Sequence, residues 1–373
     1  MLTHYDDFPL HQTPEPIAHP ATSDKNFYDR YFFNGFTQDG SRFFGLALGL
    51  YPNRRVMDAS FSVLTGGRQL SIHASRLAPH ERGETRVGPI SIEVLEPLRT
   101  LRVRVAGNPG GLACDLLFRA RTAAIEEPRA TLRAGTQVVM DSTRLTQFGR
   151  WTGTLEIEGK PVEIAPERVF GVRDRSWGIR PVGEREAGAP GAPPQFFWLW
   201  APFHFDDVCA HLGVFEDEAG RAWHAGGVTL PAYSDPSAFP NVADPREQRA
   251  ARVAHQIRWE PGTRRARRAR IELVSHAGES SVIALEPLLS FQMLGLGYLH
   301  PEWGHGLWKG NEAFGAEAWQ PAELAPLDPR HIHVQQLCRA RWGEREGIGV
   351  LEQLVIGPHR PSGFRSLLDG ASS

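Results

Sequence analysis

Leu155-Glu-Ile-Glu-Gly-Lys-Pro-Val-Glu-Ile164 alternates apolar and charged residues on both sides of a Glu-Gly-Lys-Pro turn. A period of two sends neighbouring side chains to opposite faces of an extended chain, so the segment predicts a hairpin with one buried face and one wet face. The same alternation recurs in Ile90-Ser-Ile-Glu-Val94 and Leu101-Arg-Val-Arg-Val105, and Val282-Ile-Ala-Leu285 is a further short strand. Turn signals follow at short intervals: Pro52-Asn53 after FFGLALGLY, Glu216-Asp-Glu-Ala-Gly220 after HLGVF, and Pro261-Gly262 before an arginine run. Long helical crossovers, which parallel strands require, are missing, and the expectation is an all-β chain of antiparallel barrels or sandwiches. The best helix candidate is Asp244-Pro-Arg-Glu-Gln-Arg-Ala-Ala-Arg252, with an N-cap Asp and Pro at the first position.

Length and composition fit this reading. The 373 residues are 41% hydrophobic and 23% charged, enough for two domains with substantial cores. Gly183-Glu-Arg-Glu-Ala-Gly-Ala-Pro-Gly-Ala-Pro-Pro194 is too rich in Gly and Pro to pair in a sheet and lies near the midpoint. FFGLALGLYPNRRVMDASFSVL before it and CAHLGVFEDEAGRAWHAGGVTL after it share a strand, turn, strand pattern, as a duplicated barrel would. The expected organisation is an N-terminal arm (1–25), a first β domain (26–185), a linker (186–195), a second β domain (196–365) and a disordered tail (366–373).

Several functions are excluded by what is missing. A net charge of -2 offers no field for nucleic acid or anionic membrane, and Arg264-Arg-Ala-Arg-Arg-Ala-Arg270 reads as the solvated start of a hairpin strand. Cys114, Cys209 and Cys338 are odd in number and widely spaced, which encodes neither a disulfide framework nor a zinc ribbon and points to a reducing compartment. The first residues lack a signal-peptide pattern and no apolar run is long enough to span a bilayer, so the expectation is a cytoplasmic protein. Lys25, Lys160 and Lys309 are followed by Asn, Pro and Gly, which removes a P-loop; the nucleophile elbow, the zincin helix and the dinucleotide fingerprint are also absent. His331-Ile-His333 puts two imidazoles on one strand face, but Leu337 stands where a third ligand would be, and no metal is expected.

Two segments concentrate reactive groups. In Phe170-Gly-Val-Arg-Asp-Arg-Ser-Trp-Gly178, alternation puts Val172, Asp174 and Ser176 on one face and Arg173, Arg175 and Trp177 on the other. If the Val172 face is interior, desolvation raises the Asp174 pKa toward that of a general acid; the competing reading is an Asp held by its flanking arginines. The second segment, Leu296–Lys309, packs Tyr298, His300, Glu302, Trp303, His305 and Trp308 into a glycine-punctuated loop. It supplies proton-transfer groups and flat rings, or else a loop closed on itself with histidines capping its turns. Tyr31 among the early aromatics, Trp198 and Trp200 on one strand face, and His211 on the next strand are core candidates that in a β-barrel can line a cavity instead.

GVRDRSWGIR, HPEWGHG, the early YDRYFFNGFT and the PGTRR turn together resemble the two-domain lipocalin-like (calycin-like) proteins to which carotenoid hydratases, kievitone hydratase and certain fungal Diels-Alderases are related. The resemblance runs from about Tyr28 to Gly363. It implies two lipocalin-like antiparallel β-barrel or sandwich domains in tandem, few short helices, and an apolar pocket. It also implies hydratase, cyclase or isomerase chemistry without a cofactor on a hydrophobic terpenoid, steroid or polyketide-like molecule. In that scheme Asp174 is the proton donor, His300 and His305 act in proton transfer or position water, and Glu302 orients one of them. Trp177, Trp198, Trp200, His211, Tyr298, Trp303, Trp308 and Tyr31 bind the substrate. The expected partner is that small molecule, with no nucleic acid, no membrane span and at most a second copy of the chain. The alternative is a non-catalytic carrier or sensor of lipophilic ligands, and a scaffold role is supported only by the absence of standard motifs.

Overall fold

The Leu155–Ile164 hairpin forms at the end of a much longer element. Its first arm is the tip of the strand Gln137–Ile157, its second is Lys160–Ile164, and Glu158 and Gly159 turn between them at φ 50° and 78°. The structure, a computed structural model, describes residues 1–188, 194–240 and 242–372. Residues 189–193 of the expected linker, and Ser373 of the expected tail, lie outside the described residues.

The first sheet runs from Glu312–Trp319 through Arg68–Leu77, Val56–Thr65, Arg42–Tyr51, Phe27–Thr37, Val169–Ile179, Gln137–Ile157, Leu112–Ala120, Thr100–Val105 and Ile90–Glu96 to Arg86–Val87. The second runs from Gln248–Arg249 through Ala222–Pro231, Val208–Glu216, Phe196–His204, Arg345–Ile356, Val334–Trp342, Ser280–Gln292 and Ala266–Val274 to Arg252–Trp259. Pairing within both is antiparallel, and each sheet curls as a half-barrel over its own apolar core. The all-β tandem architecture expected from the sequence is therefore the one observed. One strand crosses over: Glu312–Trp319, late in the chain, pairs with Arg68–Leu77 of the first sheet, which carries the loop before it onto that sheet.

The Asp244–Arg252 helix is not formed. The Asp244 carboxylate accepts from the Arg246 backbone N–H at 2.9 Å and from the Tyr233 hydroxyl, closing a turn, and the chain then enters strands at Gln248 and Arg252. Asp-Pro starts turns as readily as helices, and here tertiary pairing decides. Among the described residues the helical elements are 3₁₀ turns of at most four residues, and no helix is long and apolar enough to cross a membrane. The three cysteines are free and buried. Residues 365–371 are tied down: buried Arg264 donates to the carbonyls of Asp369, Ser366, Val355 and Gly357, and to the Asp369 carboxylate.

A third apolar cluster lies between the sheets. Phe32, Phe36, Phe148, Phe170 and Val172 of the first meet Trp198, Trp200, Phe215, Leu337 and Val350 of the second. Through it passes a polar bridge at Asn34, which is fully buried. Its amide donates to Gln335 Oε1 (3.0 Å), its Oδ1 accepts from Val172 N (2.8 Å), and its carbonyl accepts from Trp151 Nε1 (2.8 Å). Asn34→Ala orphans a buried N–H and a buried amide oxygen, each worth about 1–3 kcal/mol. Urea unfolding should show a loss of about 2–6 kcal/mol, far beyond that of an exposed Asn→Ala control.

Candidate active site between the two sheets

The strand Val169–Ile179 pairs with Phe27–Thr37 on one side and Gln137–Ile157 on the other, with Asp174 opposite Phe32 and Thr146. Alternation then separates its side chains. Val172 packs in the layer between the sheets, while Arg175 and Trp177 face a cavity at the mouth of the first sheet's interior. Neither flanking arginine pairs with Asp174: Arg173 donates to Gln147 Oε1 (2.6 and 2.9 Å) and Arg175 to Asp29 Oδ1 (2.6 Å).

Asp174 instead lies among groups delivered by distant segments. Its ion pair, to Arg144 Nε, is long at 4.0 Å, its side chain is 14% exposed, and among the described residues no hydrogen bond holds its carboxylate. Burial pushes its pKa up to about 6; Arg144 and Arg30 pull it down, whereas Glu127 and Glu352 push it further up. Those two glutamates behave in the opposite way. Burial alone would raise Glu127, yet Arg144 (3.4 Å), His211 (3.4 Å), the Thr146 hydroxyl (2.5 Å) and Trp200 Nε1 (3.2 Å) hold it below the usual carboxylate range. Against its own burial, Glu352 is held low by His333 Nε2 (2.7 Å) and Gln335 Nε2 (2.7 Å), and it also accepts from Trp198 Nε1 (3.3 Å).

Arg30 continues the layer. Its guanidinium donates to the Tyr298 hydroxyl (2.6 Å), lies 4.6 Å from that ring's centre and 3.0 Å from His305 Nε2. Burial and the cations Arg30 and Arg180 push the His305 pKa well below that of free imidazole, so the ring is neutral. Its Nε2 donates to Leu296 O (2.9 Å) and its Nδ1 accepts from Arg180 (3.2 Å). Asp58, next to this group, is raised by burial to about 6 against a bond from Gly306 N (2.6 Å). Among the described residues, several buried atoms here lack a hydrogen-bond partner: Arg30 Nε, Arg144 Nε, His211 Nε2 and His333 Nδ1. Buried polar atoms are rarely left so, and four in one layer mark a place where water or a polar ligand group would be held. A small pocket of about 100 Å³, lined by Glu127, His211 and His224, adjoins it. Met140, Phe196, Trp223, Tyr298 and Leu354 pack against the edge of the same apolar cluster as half-buried side chains.

Of the residues singled out in the sequence, this layer gathers Asp174, His211, Trp198, Trp200, Tyr298 and His305. The indoles are already engaged: Trp198 lies between Phe215 (4.1 Å) and the Arg144 guanidinium (5.0 Å), and Trp200 meets His211 edge-on at 5.7 Å. The others lie elsewhere. His300 Nδ1 accepts from the backbone of Glu302 (3.0 Å) and Trp303 (2.9 Å), capping its turn, and its Nε2 donates to Glu317 Oε1 (2.8 Å). The Glu302 side chain is 73% exposed beside Lys309, and among the described residues its carboxylate orients no histidine; Trp308 is 51% exposed. Trp303 stacks on His73 at 5.5 Å, and Tyr31 and Trp177 line the cavity of the first sheet.

His73 Nε2 also reaches Glu317 Oε1 (2.9 Å), which completes a set of metal-ligating types. With Nδ1 of His300 accepting two backbone N–H groups, its proton sits on Nε2, and no lone pair remains there for a cation. The trio braces the crossing strand. His331 and His333 do not converge either: the first meets Ala325 O (3.2 Å) and the second Glu352.

Arg30, Asp58, Glu127, Arg144 and Glu352 were not singled out. Arg30 and Glu352 carried a signal, a charge on the inward face of an apolar strand (YDRYFF, GVLEQLV); Glu127 and Arg144 carried none.

Against known proteins, the chain matches the model described as "Family of unknown function (DUF8625)" over residues 2–365. No curated protein sequence matches it. Among solved structures it is similar to an AttH-like protein of Nitrosomonas europaea (13% identity, 93% of this chain and 98% of that one, TM-score 0.54). It is also similar to kievitone hydratase of Nectria haematococca (12%, 87% and 88%, 0.51) and to CghA solved with Sch210972 (11%, 89% and 89%, 0.51). At these identities the likeness is one of fold, and it agrees with the two-domain lipocalin-like kinship expected from the sequence motifs.

The raised Asp174 pKa has a stability signature. The unfolded carboxyl releases its proton near 3.8 and the folded one near 6, so this group's contribution is complete below pH 4 and is lost as pH rises through 6. Asp174→Asn lacks that loss. Its stability relative to the parent should improve by up to about 3 kcal/mol between pH 4 and 7.5 in urea titrations, and a difference that stays flat with pH would refute the assignment.

Proposed function

We propose that this chain, which belongs to the family of unknown function (DUF8625), is a cofactor-independent hydratase, cyclase or isomerase that uses Asp174 as a general acid on a hydrophobic, unsaturated small molecule. The observation that carries the reading is a carboxyl group with no hydrogen-bond partner among the described residues, raised by burial to about 6, in a layer of buried polar groups that runs through an apolar cluster. A group so poised is largely protonated in mildly acidic solution and still gives up its proton readily. The fold likeness to kievitone hydratase supports the reading, and a hydratase on one scaffold does not fix the reaction on another.

The substrate's apolar body lies along the rim formed by Met140, Trp223, Tyr298 and Leu354, and a double bond or electron-rich oxygen meets Asp174. Protonation moves the Asp174 proton to carbon and leaves a carbocation, which the carboxylates of Asp174 and Glu127 and the electron-rich ring of Tyr298 stabilise. In a hydration, water from the pocket beside Glu127 and His211 adds to the cation. Burial lowers the His211 pKa, so its imidazole is neutral and can take the proton that water sheds, which passes to solvent as solvent reprotonates Asp174. In a cyclisation or isomerisation the proton leaves carbon instead, and Asp174 recovers it. Arg144, between Asp174 and Glu127, keeps the second carboxylate ionised while the first is protonated.

The test pairs substrate discovery with a variant. The protein is incubated with extracts and with panels of polyene terpenoids, steroids and polyketides in water and in D₂O, and products are read by mass spectrometry. A gain of one water, or a new isomer carrying deuterium, is expected from the parent. Asp174→Asn should lower turnover at least 100-fold with little change in KM, and the parent's kcat should fall about tenfold per pH unit above 6. Full turnover by a folded Asp174→Asn variant overturns the acid assignment. A hydrophobic molecule that co-purifies and is returned unchanged by parent and variant alike points to the carrier alternative.

A further inference from the structure

The other face of the Asp174 strand looks into a different space. A cavity of about 860 Å³ opens at the mouth of the first sheet's interior, within the range of small-molecule sites. Its floor is aliphatic, from Leu48, Leu50, Met57 and Ile92, and all four belong to the buried core of that sheet. The N-terminal arm forms one wall, pinned where Asp6 accepts from Thr3 N (2.6 Å) and Ile17 N (2.8 Å) and where His4 N meets Glu81 (3.1 Å). Trp177 stands on the opposite side. It is 39% exposed, and among the described residues no ring or cation covers its indole.

The rim is charged unevenly. Arg175 and Arg82 share one carboxylate, Asp29, at 2.6 and 3.2 Å, which leaves one positive charge in excess within that trio. The Arg175 guanidinium lies flat on Tyr31 at 3.9 Å, so its position is fixed by stacking as well as by the ion pair. Two further acids line the cavity: Glu15, 64% exposed and 4.0 Å from His19, and Glu93, opposite Arg102, whose guanidinium is taken by Asp115. A guanidinium pair held by a single carboxylate suits a second carboxylate, which arginine binds through parallel N–H donors. An aliphatic floor below such a rim selects a molecule with one anionic head and a hydrocarbon body.

We propose that the mouth of the first sheet is a second binding site, separate from the Asp174 layer, for amphipathic carboxylic acids of the fatty-acid type, with the head at Arg82 and Arg175 and the chain over Leu48, Leu50 and Met57 against Trp177. It does not rest on the enzymatic reading, because Trp177 and Asp174 project from opposite faces of one strand.

Calorimetric titration of the 373-residue chain with octanoate, decanoate and dodecanoate below their critical micelle concentrations, and with dodecanol below its solubility limit, tests the site. One molecule should bind per chain, the affinity should rise about fourfold for each added methylene, and dodecanoate should bind at least tenfold tighter than dodecanol. Asp29→Asn frees both guanidiniums and should tighten dodecanoate while leaving dodecanol unchanged. Trp177→Ala, at an exposed side chain, should weaken both at least fivefold, and Asp174→Asn should alter neither. Equal binding of dodecanol and dodecanoate, affinity independent of chain length, binding indifferent to Trp177→Ala, or no binding at all overturns the proposal.

Discussion

Asn34 has no exposed surface, and each of its side-chain polar atoms is satisfied by a different part of the molecule: Gln335 of the second sheet and Val172 N of the neighbouring strand, with its own carbonyl taken by Trp151. From Gln335 the chain of hydrogen bonds continues to Glu352, His333 and Trp198. Because a half-satisfied buried amide is costlier than an apolar residue, this connectivity constrains where the two sheets can sit relative to each other. It also sets the phase of the strand Val169–Ile179. Gly171, next to the bond at Val172, is pressed so closely that a Cβ would fall 2.2 Å from Trp151 Nε1 and 2.4 Å from Asn34 O. With position 171 clamped against backbone and indole, every later side chain of the strand has a determined face.

The layer so fixed holds the carboxyl groups of Glu127, Glu352 and Asp174, with Asp58, which burial also raises to about 6, beside it, and the cations do not treat them equally. Glu127 and Glu352 take the close donors, from Arg144, Thr146 and Trp200 in one case and from His333 and Gln335 in the other. Each then stands as a fixed negative charge near Asp174, whose own share of Arg144 is 4.0 Å away. Two ionised neighbours, desolvation and a long ion pair act in the same direction, and Asp174 is left as the acid that keeps its proton. Environments that drive like groups apart in pKa are how a site obtains both an acid and a base from ordinary side chains.

The period of two was enough to read the β architecture, the hairpins at 52–55, 158–161 and 216–220, and the two faces of 172–177, because each depends on neighbours in sequence. What escaped depends on distant pairing. The Asp244 turn was decided by Tyr233 and Arg246, and the crossing of Glu312–Trp319 onto the first sheet has no local signature. The loop 296–309 shows the same division. Its density of His, Trp and Glu was legible, but Leu299 and the glycines at 297 and 306, all at positive φ, coil it so that its members face different ways. His305 and Tyr298 turn toward Arg30, His300 and Trp303 toward His73 and Glu317, and Glu302 toward solvent. Density in sequence did not amount to convergence in space: of the residues expected to act in catalysis, Asp174 and His305 lie in the layer between the sheets, and His300 and Glu302 do not.

One strand therefore divides two environments. On the Asp174 side the sheets have met, apolar rings fill the space, and charges are confined to a hydrogen-bonded layer where a proton's position is set by burial. On the Trp177 side the sheet faces only its own curved interior and the N-terminal arm, and the space remains open above an aliphatic floor. Arg173 and Arg175 belong to this second side, which is why neither neutralises the aspartate that lies between them in sequence. Had either done so, its desolvated charge would have held Asp174 ionised, as Arg102 holds Asp115 low on the exposed strand pair. The alternation that makes a β-strand two-faced is thus also what keeps the acid in the layer from its nearest cations.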